Sequence, residues 1–222
     1  MNRNVFFDFD GTLADTAPGI VNSLEYTSET LGLPQLGENE YTTMIGPAFR
    51  QGFARLYPNI DQQTLTQAEQ LFFQHYFDYG LTQVAFYPHI FETLSRLQQT
   101  GYSLHIVSGE PENIIQRLWD NFDLGKYFTG HFGSVNGEVV RVDKPDILKY
   151  AVGQANAYEA QNIMVGDRYT DIVGGIQNQM DTIGVTYGFG DKKELQDAQA
   201  TALVSEPTEL TRSVLQISAK YE

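Results

Sequence analysis

Apolar residues recur along this chain with two different periods. Over residues 4–8 the run Val5-Phe6-Phe7 is continuous and β-prone, and Gly11 follows soon after. That predicts a buried strand closing into a turn. Between Ala14 and about Tyr87 the spacing becomes helical. Ile20, Leu24 and Leu31 share one face, and Leu65, Ala68, Leu71, Phe72 and Tyr76 share another. A loop with Pro34, Gly37, Gly46 and Pro47 separates them, so this stretch predicts three or four helices and no strand. After Pro88, strands and helices alternate. A helix over 90–99 stops at Gly101, and a strand over 102–107 ends in a turn at Ser108-Gly109. A helix follows from about 111 to 121, and then a strand near 131–135. A helix over 145–156 carries Pro145 at its start, where no amide hydrogen is needed. A strand over 162–165, a helix over 169–179 and a strand over 182–185 come next. A short strand over 202–204 precedes a closing helix.

Alternating strand and helix predicts an α/β fold with a doubly wound parallel sheet. The helical stretch interrupts it just after the first strand. The expected architecture is a core of residues 1–14 and 88–222 with an inserted all-helical cap of residues 15–87. No repeat or low-complexity linker is present. Gly188-Phe189-Gly190 is too short and too late in the chain to be a nucleotide-binding glycine loop.

Charge narrows the partners. The formal net charge is -14 and the sequence pI is near 4.6. Such a surface repels nucleic acid and acidic lipid headgroups, so small molecules and metal cations are the expected partners. With no cysteine in the chain, disulfides, thiolate catalysis and cysteine-ligated zinc are excluded. No apolar run approaches the roughly 20 residues that span a membrane. Asp8 and Asp10 break the first apolar run at once, which is unlike a secretory signal. A cytoplasmic protein is expected.

Four groups of residues carry chemistry. In Asp8-Phe9-Asp10-Gly11-Thr12, alternation would put both carboxylates on one side of a strand. Like charges about 4 Å apart cost about 4 kcal/mol at an effective dielectric near 20. The pair therefore calls for a cation or for a shared proton. Ser108-Gly109, at a strand end, offers a hydroxyl and free amides that suit an anion. Lys144, after Asp143 and before Pro145, stands at a helix start, where the dipole disfavours it. Binding phosphate as a point charge is one reason to find it there. In Gly166-Asp167-Arg168-Tyr169-Thr170-Asp171, the two acids are four apart and would share one face of an opening helix. Their oxygens select a hard cation such as magnesium. Taken singly, each group also reads as solvated loop acids, a turn, a surface lysine or a helix cap. Taken together, all sit at predicted strand ends, which a parallel sheet brings to one edge.

Residues 8–16 (Asp8-Phe9-Asp10-Gly11-Thr12-Leu13-Ala14-Asp15-Thr16), Ser108, Lys144 and Gly166 to Asp171 resemble, in order, the four motifs of the haloacid dehalogenase-like superfamily. The resemblance spans the chain, which looks like the phosphoglycolate phosphatase-like branch, with a Rossmann-like core and a helical cap. It implies a magnesium-dependent phosphoric monoester hydrolase for a small phosphorylated metabolite, phosphoglycolate-like or a sugar phosphate. Asp8 would be the nucleophile and Asp10 the general acid and base. Ser108, Gly109 and Lys144 would hold the phosphoryl group. Mg²⁺ would be held by Asp8, the Asp10 carbonyl and Asp167, with Asp171 in support. The cap would close over the site on hinges near Asp15 and Tyr87. The Ile45-Gly46-Pro47 segment resembles the family's substrate-facing cap loop, so Gly46 and Arg50 are candidate substrate contacts, beside the plainer reading of Arg50 as a helix-surface residue. Relatives often carry Asn and Lys after the motif-two hydroxyl, where this chain has Gly109 and Glu110.

Other chemistries leave different marks on a sequence. Dehalogenases lack a second acid equivalent to Asp10. Phosphonoacetaldehyde hydrolases need a cap lysine, and no lysine occurs between Ala14 and Tyr87. A sugar phosphomutase remains open, as does a non-catalytic phospho-receiver, which would need about half this length.

Overall fold

A computed structural model describes residues 3–46, 48–135, 141–158 and 160–221. Pro47 of the expected substrate-facing loop lies outside them. Strand β1 (Arg3–Phe7) leads into the two-residue strand β2 (Ala14–Asp15). Four helices follow: α1 (Ala17–Thr30), α2 (Glu38–Tyr41), α3 (Phe49–Leu56) and α4 (Gln62–Asp78). A second two-residue strand, β3 (Ala85–Phe86), pairs with β2. The remainder runs α5 (Ile90–Gln99), β4 (Ser103–Pro111), α6 (Glu112–Asn121), β5 (Gly130–Ser134), α7 (Lys144–Gln154), β6 (Gln161–Gly166), α8 (Tyr169–Gln177), β7 (Asp181–Val185), α9 (Lys192–Asp197), β8 (Ala202–Val204) and α10 (Leu210–Ser218). Contacts divide the chain into two compact units, Met1–Ala14 with Phe86–Glu222, and Asp15–Ala85.

The larger unit is built on a parallel sheet in the order β5-β4-β1-β6-β7-β8. The order reverses between β1 and β6, the switch point beside which open α/β sheets place ligands. Val5, Phe6, Phe7, Leu104, Ile106, Val107, Ile163, Met164, Val165, Ile183 and Val185 are all fully buried. Continuous apolar strands are what a parallel sheet covered on both faces requires. Ile147, Leu148 and Ala151 of α7 pack with Phe6, Val107 and Met164. His105 of β4 is buried and stacks on Phe6 with ring centroids 4.8 Å apart.

In the smaller unit α1 packs along α4. Leu24, Leu65, Ala68, Phe72 and Tyr76 are buried, as their spacing predicts. The Tyr57 hydroxyl bonds to Ser28 (2.9 Å), Tyr41 (3.2 Å) and the Pro34 carbonyl (2.9 Å). These bonds satisfy polar atoms that burial would otherwise penalise.

Three expectations change. The turn at Ser108-Gly109 does not form: β4 runs on to Pro111, with a register shift against β5 between Val107 and Pro111. Such a bulge re-aims side chains without ending the strand. The stretch 15–87 is not free of strand, since it holds Asp15 of β2 and β3. Helix α9 also arises where none was expected. Among the described residues no helix is long and apolar enough to cross a membrane.

Candidate active site

The first acidic pair stands just beyond β1. The strand ends at Phe7, so Asp8 and Asp10 occupy the loop and not alternate strand positions. The Asp8 amide still donates to the Val165 carbonyl at 2.9 Å, which prolongs the β1–β6 pairing by one residue. The chain then reverses at Gly11, whose φ is +83° and whose amide donates to the Ala14 carbonyl at 2.8 Å. A Cβ there would stand 2.3 Å from Asp167 Oδ2, so only glycine admits both the turn and the close approach.

Lys144 is the first residue of α7, whose N-cap is Asp143. Its side chain turns inward and is almost fully buried. Nζ reaches Asp8 Oδ1 at 2.5 Å, Asp171 Oδ1 at 2.9 Å and the Val107 carbonyl at 3.0 Å. These acceptors explain a lysine at a helix start, since nearby carboxylates outweigh the dipole. Burial works against the ammonium, but Asp171 and Asp8 outweigh it and raise its pKa above the usual lysine value.

Asp167 is fully buried and follows β6. It precedes α8, which starts at Tyr169, so Asp167 and Asp171 do not share a helix face as the spacing implied. Asp167 Oδ2 accepts the amides of Phe189 (2.7 Å) and Gly190 (3.3 Å), and Oδ1 accepts the Thr12 hydroxyl (3.3 Å). Asp171, in the first turn of α8, accepts the Arg168 amide at 3.0 Å through Oδ2 while Oδ1 faces Lys144. Arg168 is thus the N-cap of α8, and Asp171 bonds back to it from the third helical position.

Ser108 is fully buried in the irregular part of β4. Its hydroxyl donates to Asp10 Oδ2 at 3.3 Å and accepts the Glu110 amide at 3.1 Å. The adjoining Gly109 is exposed. Burial, then repulsion by Asp10 and Asp8, pushes the Glu110 carboxyl well above the ordinary carboxylate range.

Asp8, Asp167 and Asp171 each offer a buried oxygen, all within 4.8 Å of one another. Burial and then Asp171 push Asp8 well above its ordinary pKa, with Lys144 pulling the other way. Burial and Asp171 likewise raise Asp167 to about 7, although the two amides oppose this. Such a shift marks carboxylates short of compensating positive charge. An all-oxygen donor set with that deficit fits a hard divalent cation. The arrangement offers buried carboxylates, a second acid near them, and an ammonium able to receive an anion.

Asp8, Asp10, Ser108, Lys144, Asp167 and Asp171 thus gather at the carboxyl ends of β4, β1 and β6. Arg50 and Gly46 lie in the smaller unit. Arg50, on α3, bonds to Glu69 (2.8 Å), Gln62 (3.1 Å) and Thr66 (3.4 Å). Gly46 is exposed with φ +103°. Thr12, Phe189 and Gly190, which hold Asp167, were not among the expected site residues. Backbone donors leave no mark on the residue pattern beyond the two glycines of Gly188-Phe189-Gly190.

A family model described as haloacid dehalogenase-like hydrolase matches residues 5–185. A 5'-nucleotidase of Pseudomonas aeruginosa is 29% identical over 201 residues, covering 89% of each chain. A phosphoglycolate phosphatase of Psychrobacter arcticus is 28% identical over 207 residues, again with 89% of each covered. A crystal structure described as a predicted phosphatase from Clostridium acetobutylicum superposes with a TM-score of 0.88. It is 30% identical and covers 97% of this chain and 99% of its own.

Proposed function

This chain belongs to the haloacid dehalogenase-like hydrolase family, and from that premise we propose that it is a magnesium-dependent phosphatase working through a phosphorylated Asp8. The enzyme class, a phosphoric monoester hydrolase, follows from the family and its phosphatase relatives, which leaves the phospho-receiver alternative without support. The observation that carries the rest is the contact of Lys144 with both Asp8 and Asp171 beside the buried Asp167. A phosphoryl group brought to Asp8 meets a fixed positive charge and carboxylates suited to a metal.

In this reading an Asp8 oxygen attacks phosphorus in line, and the bond from phosphorus to the leaving oxygen breaks. Asp10 gives its proton to that oxygen. It then takes a proton from the water that attacks the aspartyl phosphate, releasing orthophosphate and restoring both acids. Ser108 holds Asp10 through its hydrogen bond. Asp8, Asp167 and the Asp10 carbonyl would hold Mg²⁺, which would supply positive charge to the phosphoryl oxygens. Both oxygens of Asp171 already serve Lys144 and the Arg168 amide, so it supports the site from behind.

The substrate is a small phosphomonoester. Phosphoglycolate, a sugar phosphate and a 5'-nucleotide are the compounds to compare, the last because of the nucleotidase relative. A substrate carboxylate at Arg50 would have to compete with Glu69. Asp8→Asn should abolish hydrolysis of p-nitrophenyl phosphate in Mg²⁺ while leaving the circular dichroism spectrum unchanged. Near-normal turnover in that variant would reject Asp8 as nucleophile. Dependence on a bisphosphate activator would favour the phosphomutase instead.

A further inference from the structure

The segment from Tyr187 to Glu194 has no part in the chemistry above, yet it is tied to Asp167 and its neighbours at both of its ends. The amides of Phe189 and Gly190 both donate to Asp167 Oδ2. The Tyr187 hydroxyl donates to the Thr12 carbonyl at 3.0 Å, and the Thr12 hydroxyl donates to the other oxygen of Asp167. Asp191 then caps α9 by accepting the Glu194 amide at 2.7 Å. Glu194 in turn accepts from Arg168 Nε at 3.0 Å and from the Tyr169 amide at 2.8 Å, through one oxygen. The fit leaves no slack. A Cβ at Gly188 would stand 2.2 Å from the Gly11 carbonyl oxygen, and one at Gly190 would stand 1.9 Å from that of Asp167.

We propose that Tyr187–Glu194 is a brace for the metal site, with Glu194 its outer positioning residue. It fixes the carboxylate of Asp167 from one side and the residues following it from the other. This rests on the reading that Asp8 and Asp167 hold a divalent cation. A carboxylate clamped by two amides and a hydroxyl cannot swing away when the site is empty, so the cation meets a preorganised oxygen. Removing Glu194 takes away the acceptor that Arg168 Nε and the Tyr169 amide share, and the cost falls on Asp167 without touching a ligand.

The test is a Mg²⁺ titration of the full chain, without substrate, read by the metal-induced rise in melting temperature. Outer partners of metal ligands typically change affinity by about 10- to 100-fold. Glu194→Ala should therefore raise the half-saturating Mg²⁺ about tenfold or more, while the metal-free melting temperature changes little. Glu194→Gln keeps an acceptor oxygen for both donors and should stay close to wild type. Tyr187→Phe, which loses only the bond to Thr12, should shift the midpoint in the same direction by less. If Glu194→Ala unfolds, Tyr187→Phe decides the matter. Wild-type midpoints in both variants would overturn the brace while leaving the enzyme reading intact. No Mg²⁺ response in the wild type would overturn the magnesium reading, and the brace with it.

Discussion

His105 shows how one residue can join the core to the pH dependence of the whole. It is almost fully buried. Nε2 meets Asn4 Oδ1 at 3.2 Å and Nδ1 meets Thr129 Oγ1 at 3.3 Å. Burial holds its pKa down at about 4. The unfolded chain takes up this proton below its ordinary value of about 6.5, whereas the folded chain resists until about 4. Stability is thus lost as pH falls through that window, by up to about 3 kcal/mol, since each unit is worth about 1.4 kcal/mol. The buried acids at the active site titrate in the opposite sense, so the contribution has to be isolated by difference. Urea unfolding of wild type and His105→Asn between pH 7 and pH 4 should show the gap between them narrowing as pH falls. A constant gap would mean that His105 is not held neutral. Taken from the residue pattern alone, His105 has no metal-ligand spacing and reads as a packing or surface residue. Its double hydrogen bond depends on Asn4 and Thr129, which are adjacent to it only once β4 has paired with β1 on one side and β5 on the other. The acids were legible because each needs a special reason to stand beside a strand end, and Lys144 because a helix start disfavours a cation. Thr12 and the two amides on Asp167 were not, because a hydroxyl and a backbone donor are unremarkable anywhere in a chain.

At the scale of elements, the site depends on how α7 begins. Asp143 Oδ1 accepts the Asp146 amide at 3.2 Å and so fixes the turn from which Lys144 reaches inward. Loss of an N-cap aspartate typically costs about 1 kcal/mol. In a chain of this size that lowers the melting temperature by about 2–4 °C. Asp143→Ala should show this fall in scanning calorimetry, together with a higher KM as Lys144 loses its fixed origin. Asp143→Asn, which caps equally well, should show neither. Most element positions could be read from periodicity, and the misses have physical causes. Ser108-Gly109 looks like a turn, because a small polar pair ends an apolar run. In the fold β5 continues beside it, and pairing with a neighbour carries the strand through the bulge. Helix α9 has Leu195 as its buried residue, too little to produce a helical period.

At the scale of the molecule, the proposed site falls within one of the two units. Asp8, Asp10, Ser108, Lys144, Asp167 and Asp171, together with the brace, all belong to the unit formed by Met1–Ala14 and Phe86–Glu222. The alternating pattern after Pro88 announced that sheet, and the early helical stretch announced an insertion. The way the insertion leaves the sheet was not visible, because two-residue strands are too short for any period. Yet this exit has consequences. The Tyr87 amide donates to the Leu13 carbonyl at 3.1 Å, and the Phe86 ring meets Phe9 edge-on at 5.9 Å. The two cut ends of the larger unit are therefore held together by its own contacts, and a short link can join them at little cost in loop entropy. Replacing residues 15–85 with a short Gly-Ser link should leave a folded α/β protein with a cooperative thermal transition. It should retain a Mg²⁺-dependent stabilisation, since no proposed ligand has been removed. Its preference among phosphoglycolate, a sugar phosphate and a 5'-nucleotide should collapse toward uniformly slow hydrolysis if the helical unit selects the substrate. A truncated protein that folds but keeps the full-length substrate ranking would instead place selectivity in the loops of the sheet, with Gly109 and Glu110 the first residues to exchange.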